Sequence, residues 1–171
     1  MKPILIINEL IIDVIIEHTL INPDLECGGY LYGNIINDNN LWKVYVDSCY
    51  YEKNRIGKET EYNFSLLYEI NAKNYSFQNN LNLIGCYHSH GNYNAIFSDV
   101  DRNILEKYWS SNKIVMIYSP SYNKLICDFV TYDKKQLPMQ ILVLTSNKEI
   151  VTIDKYLRKY HKNSKKLIKK R

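Results

Sequence analysis

His88 and His90, one residue apart, close an apolar run; Ser98 follows after seven residues, and Asp101 three positions later. For four side chains in this His-x-His-x7-Ser-x-x-Asp spacing to act together, a strand end and a helix start must converge on one point. The run before the pattern, Leu81-Asn-Leu-Ile-Gly-Cys-Tyr87, is apolar and bounded by Asn79-Asn80, so it reads as a buried strand. Alternation along that strand puts His88 and His90 on one side and Ser89 on the other. Gly91 and the polar residues after it break the strand and turn the chain. Ser98 then opens a predicted helix over 99–110, with Ser98 and Asp101 on one face of its first turn.

Two imidazoles and one carboxylate are the ligands a catalytic zinc takes while its fourth position stays open for water. The chain holds four His, eleven Ser and nine Asp among 171 residues. Random placement of those types would give the pattern on the order of a few times in ten thousand chains, the kind of false-positive rate any motif carries. Alone, Ser98 and Asp101 equally fit a helix N-cap with an acidic partner three residues on. A lone His near a strand end is ordinarily a satisfied polar residue. Two at i, i+2 in front of Ser-x-x-Asp turn the reading toward a metal. Hydrolysis at such a metal also gains from a carboxylate that shuttles protons. The best candidate is Glu26 in Leu25-Glu-Cys-Gly-Gly-Tyr-Leu-Tyr-Gly33, just before a Gly-spaced strand. By itself Glu26 would read as a solvated loop carboxylate.

With both motifs in view, the chain resembles the JAMM (MPN-domain, JAB) metalloproteases, zinc isopeptidases that remove ubiquitin and ubiquitin-like proteins. Glu26, Gly29, Leu31 and Gly33 match the family's E-x-x-G-x-L-x-G strand, and His88, His90, Ser98 and Asp101 match its second motif. The resemblance covers roughly residues 5 to 145, including the order helix, strand pair, helix, His-x-His strand, Ser-x-x-Asp helix, strands. It implies a single MPN (JAB) domain of α+β or α/β class, a mixed β-sheet flanked by helices with cytidine-deaminase-like layering. It further implies one catalytic Zn2+ on His88, His90 and Asp101, Glu26 as general base and then acid, and Ser98 as a stabiliser of the oxyanion. Many members carry Pro after the second His. This chain has Gly91, which predicts a more mobile loop.

The compact chain is similar to the prokaryotic, stand-alone, deubiquitinase-like branch. The expected substrate is therefore a ubiquitin-like protein, cut after its C-terminal glycine from a conjugate or precursor. Activating and conjugating enzymes of one pathway, in anti-phage defence operons among others, are the further partners the resemblance implies. Relatives that trim sulfur-carrier proteins or cleave peptide and cell-wall amides offer a second reading. A third is a non-catalytic MPN scaffold whose basic tail binds nucleic acid, but inactive members typically lose ligands that this chain keeps.

The rest of the chain bounds these readings. Its length fits one domain, expected over 1–153 with a basic C-terminal tail over 154–171. From Asp154 onward nine Lys or Arg face one Asp, while the remainder carries a net charge of −4. Such a tail reads first as a solvated, partly helical terminus, with Leu157, Tyr160, Leu167 and Ile168 as a weak apolar stripe. The apolar run Ile4 to Ile21 is interrupted by Glu9, Asp13 and Glu17, four apart, which predicts one polar face of a helix over about 8–21. Ile11, Ile12, Ile15, Ile16 and Leu20 suit its apolar face. No charge-free span is long enough for a membrane helix, and no signal-peptide pattern appears, which points to a cytoplasmic protein without a membrane partner. Cys27, Cys49, Cys86 and Cys127 form no C-x-x-C pair; most fall in apolar, strand-like stretches and read as buried small hydrophobes, with a thiol nucleophile at Cys27 or Cys86 the lesser alternative. Strands are predicted near 28–36, 41–49, 62–64, 82–90, 113–118, 124–132 and 139–145, and a further helix over 65–78.

Overall fold

The N-terminal apolar run divides into two elements. In the computed structural model, which describes residues 1–51, 66–102 and 112–168, Ile4–Asn8 forms strand β1 and Glu9–Leu20 forms helix α1. The β-branched stretch Ile4-Leu-Ile-Ile7 suits an interior strand, and Leu5 and Ile7 are fully buried. Asn8 then switches the period: its side chain accepts the Leu10 amide at 2.9 Å as the helix N-cap. Ile11, Ile12, Ile15 and Ile16 are buried as the acid spacing predicts, but Leu20 is half exposed. The buried face continues through His18 and Thr19 instead, because the helix ends at Leu20.

Two long strands follow, β2 (Gly28–Asp38) and β3 (Leu41–Tyr50), then helix α2 (Leu66–Gln78) and strand β4 (Leu83–Ser89). Strands β5 (Lys113–Ser119), β6 (Lys124–Val130), β7 (Gln136–Pro138), β8 (Gln140–Leu144) and β9 (Ile150–Thr152) come next. Helix α3 (Ile153–Ile168) ends the described chain. The expected strand near 62–64, the polar loop before it and the expected helix beyond residue 102 lie outside the described residues.

Among the described residues the strands make one mixed sheet in the order β7-β6-β5-β4-β2-β3-β1-β8-β9. The β1–β3, β1–β8 and β4–β5 pairs are parallel and the others antiparallel. Strand alternation divides the core between two faces. On one, Leu31, Met116 and Phe129 pack with Ile12 and Ile16 of α1 and with Ile153, Tyr156 and Leu157 of α3. On the other, Tyr30, Tyr32, Cys86 and Val115 pack with Tyr68 and Ala72 of α2. The result is the mixed sheet flanked by helices that the sequence predicts. The first half of α3 is thus core: Tyr156 donates its hydroxyl to Asp13 of α1, and Tyr160 packs at the edge. Leu167 and Ile168 have side chains outside the described residues. At Gly33, where β2 bulges against β3, a Cβ would lie 1.9 Å from the Tyr45 carbonyl oxygen, so only glycine fits. Among the described residues no helix is long and apolar enough to cross a membrane.

One buried polar contact gives this core a pH dependence. His18 is 3 % exposed, and its Nδ1 lies 2.8 Å from the Tyr87 hydroxyl. Its ring stacks near Tyr51 with centroids 4.2 Å apart. Burial pushes its pKa down to about 4 from an ordinary 6.5, so the unfolded chain takes up the proton first. Stability is full above pH 6.5 and falls as pH drops toward 4, by up to about 3 kcal/mol. Urea titrations of metal-free protein should show this loss between pH 7 and pH 4.5. The His18→Gln variant should lose much less over the same range, and equal slopes would remove His18 as the cause.

Candidate metal centre

Strand β4 lies between β2 and β5 in the middle of the sheet, so the residues at its end are held from both sides. The expected alternation is realised: His88 and His90 share a side and are 8 % and 7 % exposed. Backbone bonds continue past the strand on both flanks, from Ser89 N to the Cys27 carbonyl at 2.7 Å and from His90 N to the Tyr118 carbonyl at 3.0 Å.

Asp101 arrives on the helical residues 99–102. The Ser98 hydroxyl accepts the Asp101 amide at 3.1 Å, and the Asp101 carboxylate accepts the Ser98 amide at 2.7 Å. That is the reciprocal N-cap the Ser-x-x-Asp spacing allows. The same cap aims the carboxylate at the histidines, so the cap and a ligand role for Asp101 are compatible rather than rival readings. Asp101 Oδ1 stands 2.9 Å from His88 Nε2, and Oδ2 stands 3.5 Å from His90 Nε2. The two Nε2 atoms are 3.1 Å apart.

These distances fit a metal. Four ligands at zinc's 2.0–2.1 Å bond lengths in a tetrahedron stand about 3.3–3.4 Å from one another, near the separations here, in which the carboxylate turns a different oxygen to each histidine. The donor chemistry agrees. The Asn94 carbonyl takes the proton of His90 Nδ1 at 3.0 Å, which leaves a lone pair on Nε2 of the neutral ring. Two ring nitrogens 3.1 Å apart need a proton or a cation between them. Among the described residues, one group of three His, Cys, Asp or Glu side chains brings its ligand atoms within 4.8 Å, and it is His88, His90 and Asp101.

The charges reinforce one another. Burial pushes the Asp101 carboxyl up, but hydrogen bonds from His88, His90 and Ser98 outweigh it and hold the group well below the usual carboxylate range. Burial pulls His90 down, yet the Asp101 hydrogen bond, the Asn94 carbonyl and the charges of Asp101 and Glu26 raise it. Glu26 is 7 % exposed. The register Gly28↔His88 and the Cys27–Ser89 bonds place Glu26 opposite His90. His88, His90, Asp101 and Ser98 therefore cluster at the end of β4, and Glu26, whose charge acts on His90, sits on the segment that leads into β2 beside them.

The Ser98 hydroxyl donates to Asp101 Oδ2 at 2.6 Å and so orients that carboxylate. The loop after His90 is fastened rather than loose. Gly91 has φ 45°, which proline with its fixed negative φ cannot adopt, and a Cβ there would meet the Asp24 carbonyl oxygen at 2.9 Å. Tyr93 N bonds the His90 carbonyl at 2.7 Å, and Asn92 is held by Asp24 and Ser121 at 2.9 and 3.0 Å. Glycine here permits a tight, hydrogen-bonded turn.

Sequence reasoning passed over Asn94 and the inward contacts of Ser89. Asn94 acts through its backbone carbonyl, which no residue type announces. The fourth histidine, His161, sits exposed on α3 and is not part of the three-residue group. The thiols stay protonated: burial pushes Cys27 up to about 11 and raises Cys86 further, so neither serves as a nucleophile at neutral pH.

The model of a family described as prokaryotic homologs of the JAB domain matches residues 9–129, a stretch that contains all five site residues. No curated protein matches the sequence. Among solved structures, the chain is similar to the solution structure of protein DSY2949 from Desulfitobacterium hafniense. Identity is 15 %, the TM-score is 0.64, and the match covers 84 % of this chain and 97 % of that one. At that identity the likeness is one of fold.

Proposed function

Because this chain belongs to the prokaryotic homologs of the JAB domain, we propose that it is a zinc-dependent isopeptidase or peptidase acting on a ubiquitin-like protein. The observation that carries the reading is the His88–His90–Asp101 triangle with a buried Glu26 set against it. Two imidazole nitrogens 3.1 Å apart, each beside an oxygen of one carboxylate, suit Zn2+. Bound there, Zn2+ supplies Lewis acidity and lowers the pKa of water for attack on an amide. The chain's own residues do the rest. Glu26 accepts the proton of the attacking water and returns it to the departing amine. Ser98 keeps Asp101 oriented, and the Asn94 carbonyl fixes the tautomer of His90.

The substrate is read from the family resemblance: an extended C-terminal tail ending in glycine, joined to a lysine amine or to a short extension. Activating and conjugating enzymes of a bacterial ubiquitin-like pathway are its proposed companions. Purified Zn2+-loaded protein should cut such a conjugate or precursor after the glycine, lose the activity to a chelator and regain it with Zn2+. Cleavage confined to sulfur-carrier precursors or short peptides would move the assignment to that substrate class. Zinc binding without cleavage of any of these amides would reject the enzyme reading and leave a non-catalytic JAB domain.

A further inference from the structure

Ser89 separates the two histidines and points away from them, fully buried. Its contacts converge on the segment that carries Glu26. The Cys27 amide donates to the Ser89 hydroxyl at 3.0 Å, and the Ser89 amide donates to the Cys27 carbonyl at 2.7 Å. The hydroxyl also lies 3.5 Å from the Leu25 carbonyl oxygen and 3.5 Å from Cys27 Sγ. Leu25 C=O belongs to the peptide group before the Glu26 α-carbon, and Cys27 N–H to the peptide group after it. One hydroxyl therefore touches both peptide planes that flank Glu26. Two adjacent planes held together fix the direction in which the side chain between them leaves the backbone. The Leu25–Cys27 segment precedes β2; the Ser89 amide bond to the Cys27 carbonyl links it to β4 through the main chain, and the Ser89 hydroxyl adds a second hold.

We infer that Ser89 is a positioning residue for Glu26, clasping its two flanking peptides so that the carboxylate stays opposite His90. The inference rests on Glu26 being the base. The arrangement couples the two halves of the site through one strand position. The same three residues supply two metal ligands on one side and the hold on the base on the other. Strand alternation makes this possible, since Ser89 must face away wherever His88 and His90 face the metal.

Ser89→Ala removes the clasp and leaves all three ligands in place. Amide exchange of Cys27 should speed up about five- to tenfold, as expected for loss of one buried hydrogen bond. Affinity for Zn2+ should stay within about threefold, because no atom that binds the metal changes. In Co2+-loaded protein, the pseudocontact shift of the Glu26 carboxyl carbon should shrink as the carboxylate samples a wider volume, while those of Gly29 and Tyr30 persist. On ubiquitin carrying a C-terminal aminocoumarin amide, kcat should fall about tenfold to a hundredfold with KM unchanged, the scale of a small misplacement of a catalytic group. Should Ser89→Ala not fold, Ser89→Cys keeps the shape with a weaker acceptor and carries the same test. An unchanged Cys27 exchange rate overturns the clasp. An unchanged Glu26 pseudocontact shift overturns the positioning role even if exchange accelerates. Full turnover by Glu26→Gln is a separate failure, since it removes the base assignment while the clasp readouts remain.

Discussion

Replacing Glu26 by glutamine is expected to lower turnover by roughly 10²–10⁴-fold, the usual contribution of a placed general base. Glutamine keeps the size and most of the hydrogen-bonding shape of the side chain, so it fits the same buried place. It cannot accept a proton. Because Glu26 lies opposite His90 and is not one of the three clustered ligands, zinc content should stay at one per chain. KM should change little, since the lost interaction belongs to the transition state. Measured kcat and metal content on one preparation decide the matter. A variant that loses its zinc would make Glu26 a ligand, and a variant within threefold of the parent would remove it from the chemistry.

His88→Ala should fail in the opposite way, losing metal and turnover together. His88 Nε2 stands within 3.1 Å of both other ligand sites, so its removal opens the triangle at the corner shared by the two shortest edges. A metal bound by the folded chain alone also stabilises it, by about 2.7 kcal/mol when free metal is a hundredfold above Kd. Thermal melts of the parent should therefore move upward with Zn2+ and back with chelator. Those of His88→Ala should stay put at the same metal concentrations. If both variants shift equally with Zn2+, the metal lies elsewhere and the triangle is only a hydrogen-bonded cluster.

How much of this was legible depended on the range of the interaction. The β4 strand, the shared side of His88 and His90, and the cap of Ser98 on Asp101 follow from periods of two and from a three-residue spacing, all local. The α1 face was legible through Ile11, Ile12, Ile15 and Ile16 for the same reason. Strand β1 was not, because Ile4 to Ile7 continues into the helical run without polar punctuation and only its neighbours β3 and β8 draw it into the sheet. Strands β7 and β9, three residues each, are too short to show any period. Gly91 was misread as slack because the Asp24 carbonyl that crowds it is distant in sequence.

The sequence by itself determined the candidate ligand set, its two-sided alternation along one strand, the capped aspartate and the family to which those motifs belong. Each depends on residues close together in the chain, where backbone geometry leaves few options. Tertiary structure alone decided the rest: that the Glu26 segment lies beside the end of β4, that Ser89 bonds Cys27 on that segment, that a backbone carbonyl of Asn94 takes the proton of His90 Nδ1, and that His18 is sealed against Tyr87. These contacts join residues up to 69 positions apart or run through backbone atoms common to every residue. Pairing of β2 with β4 brings the first motif to the second, and only that pairing turns two separated patterns into one centre.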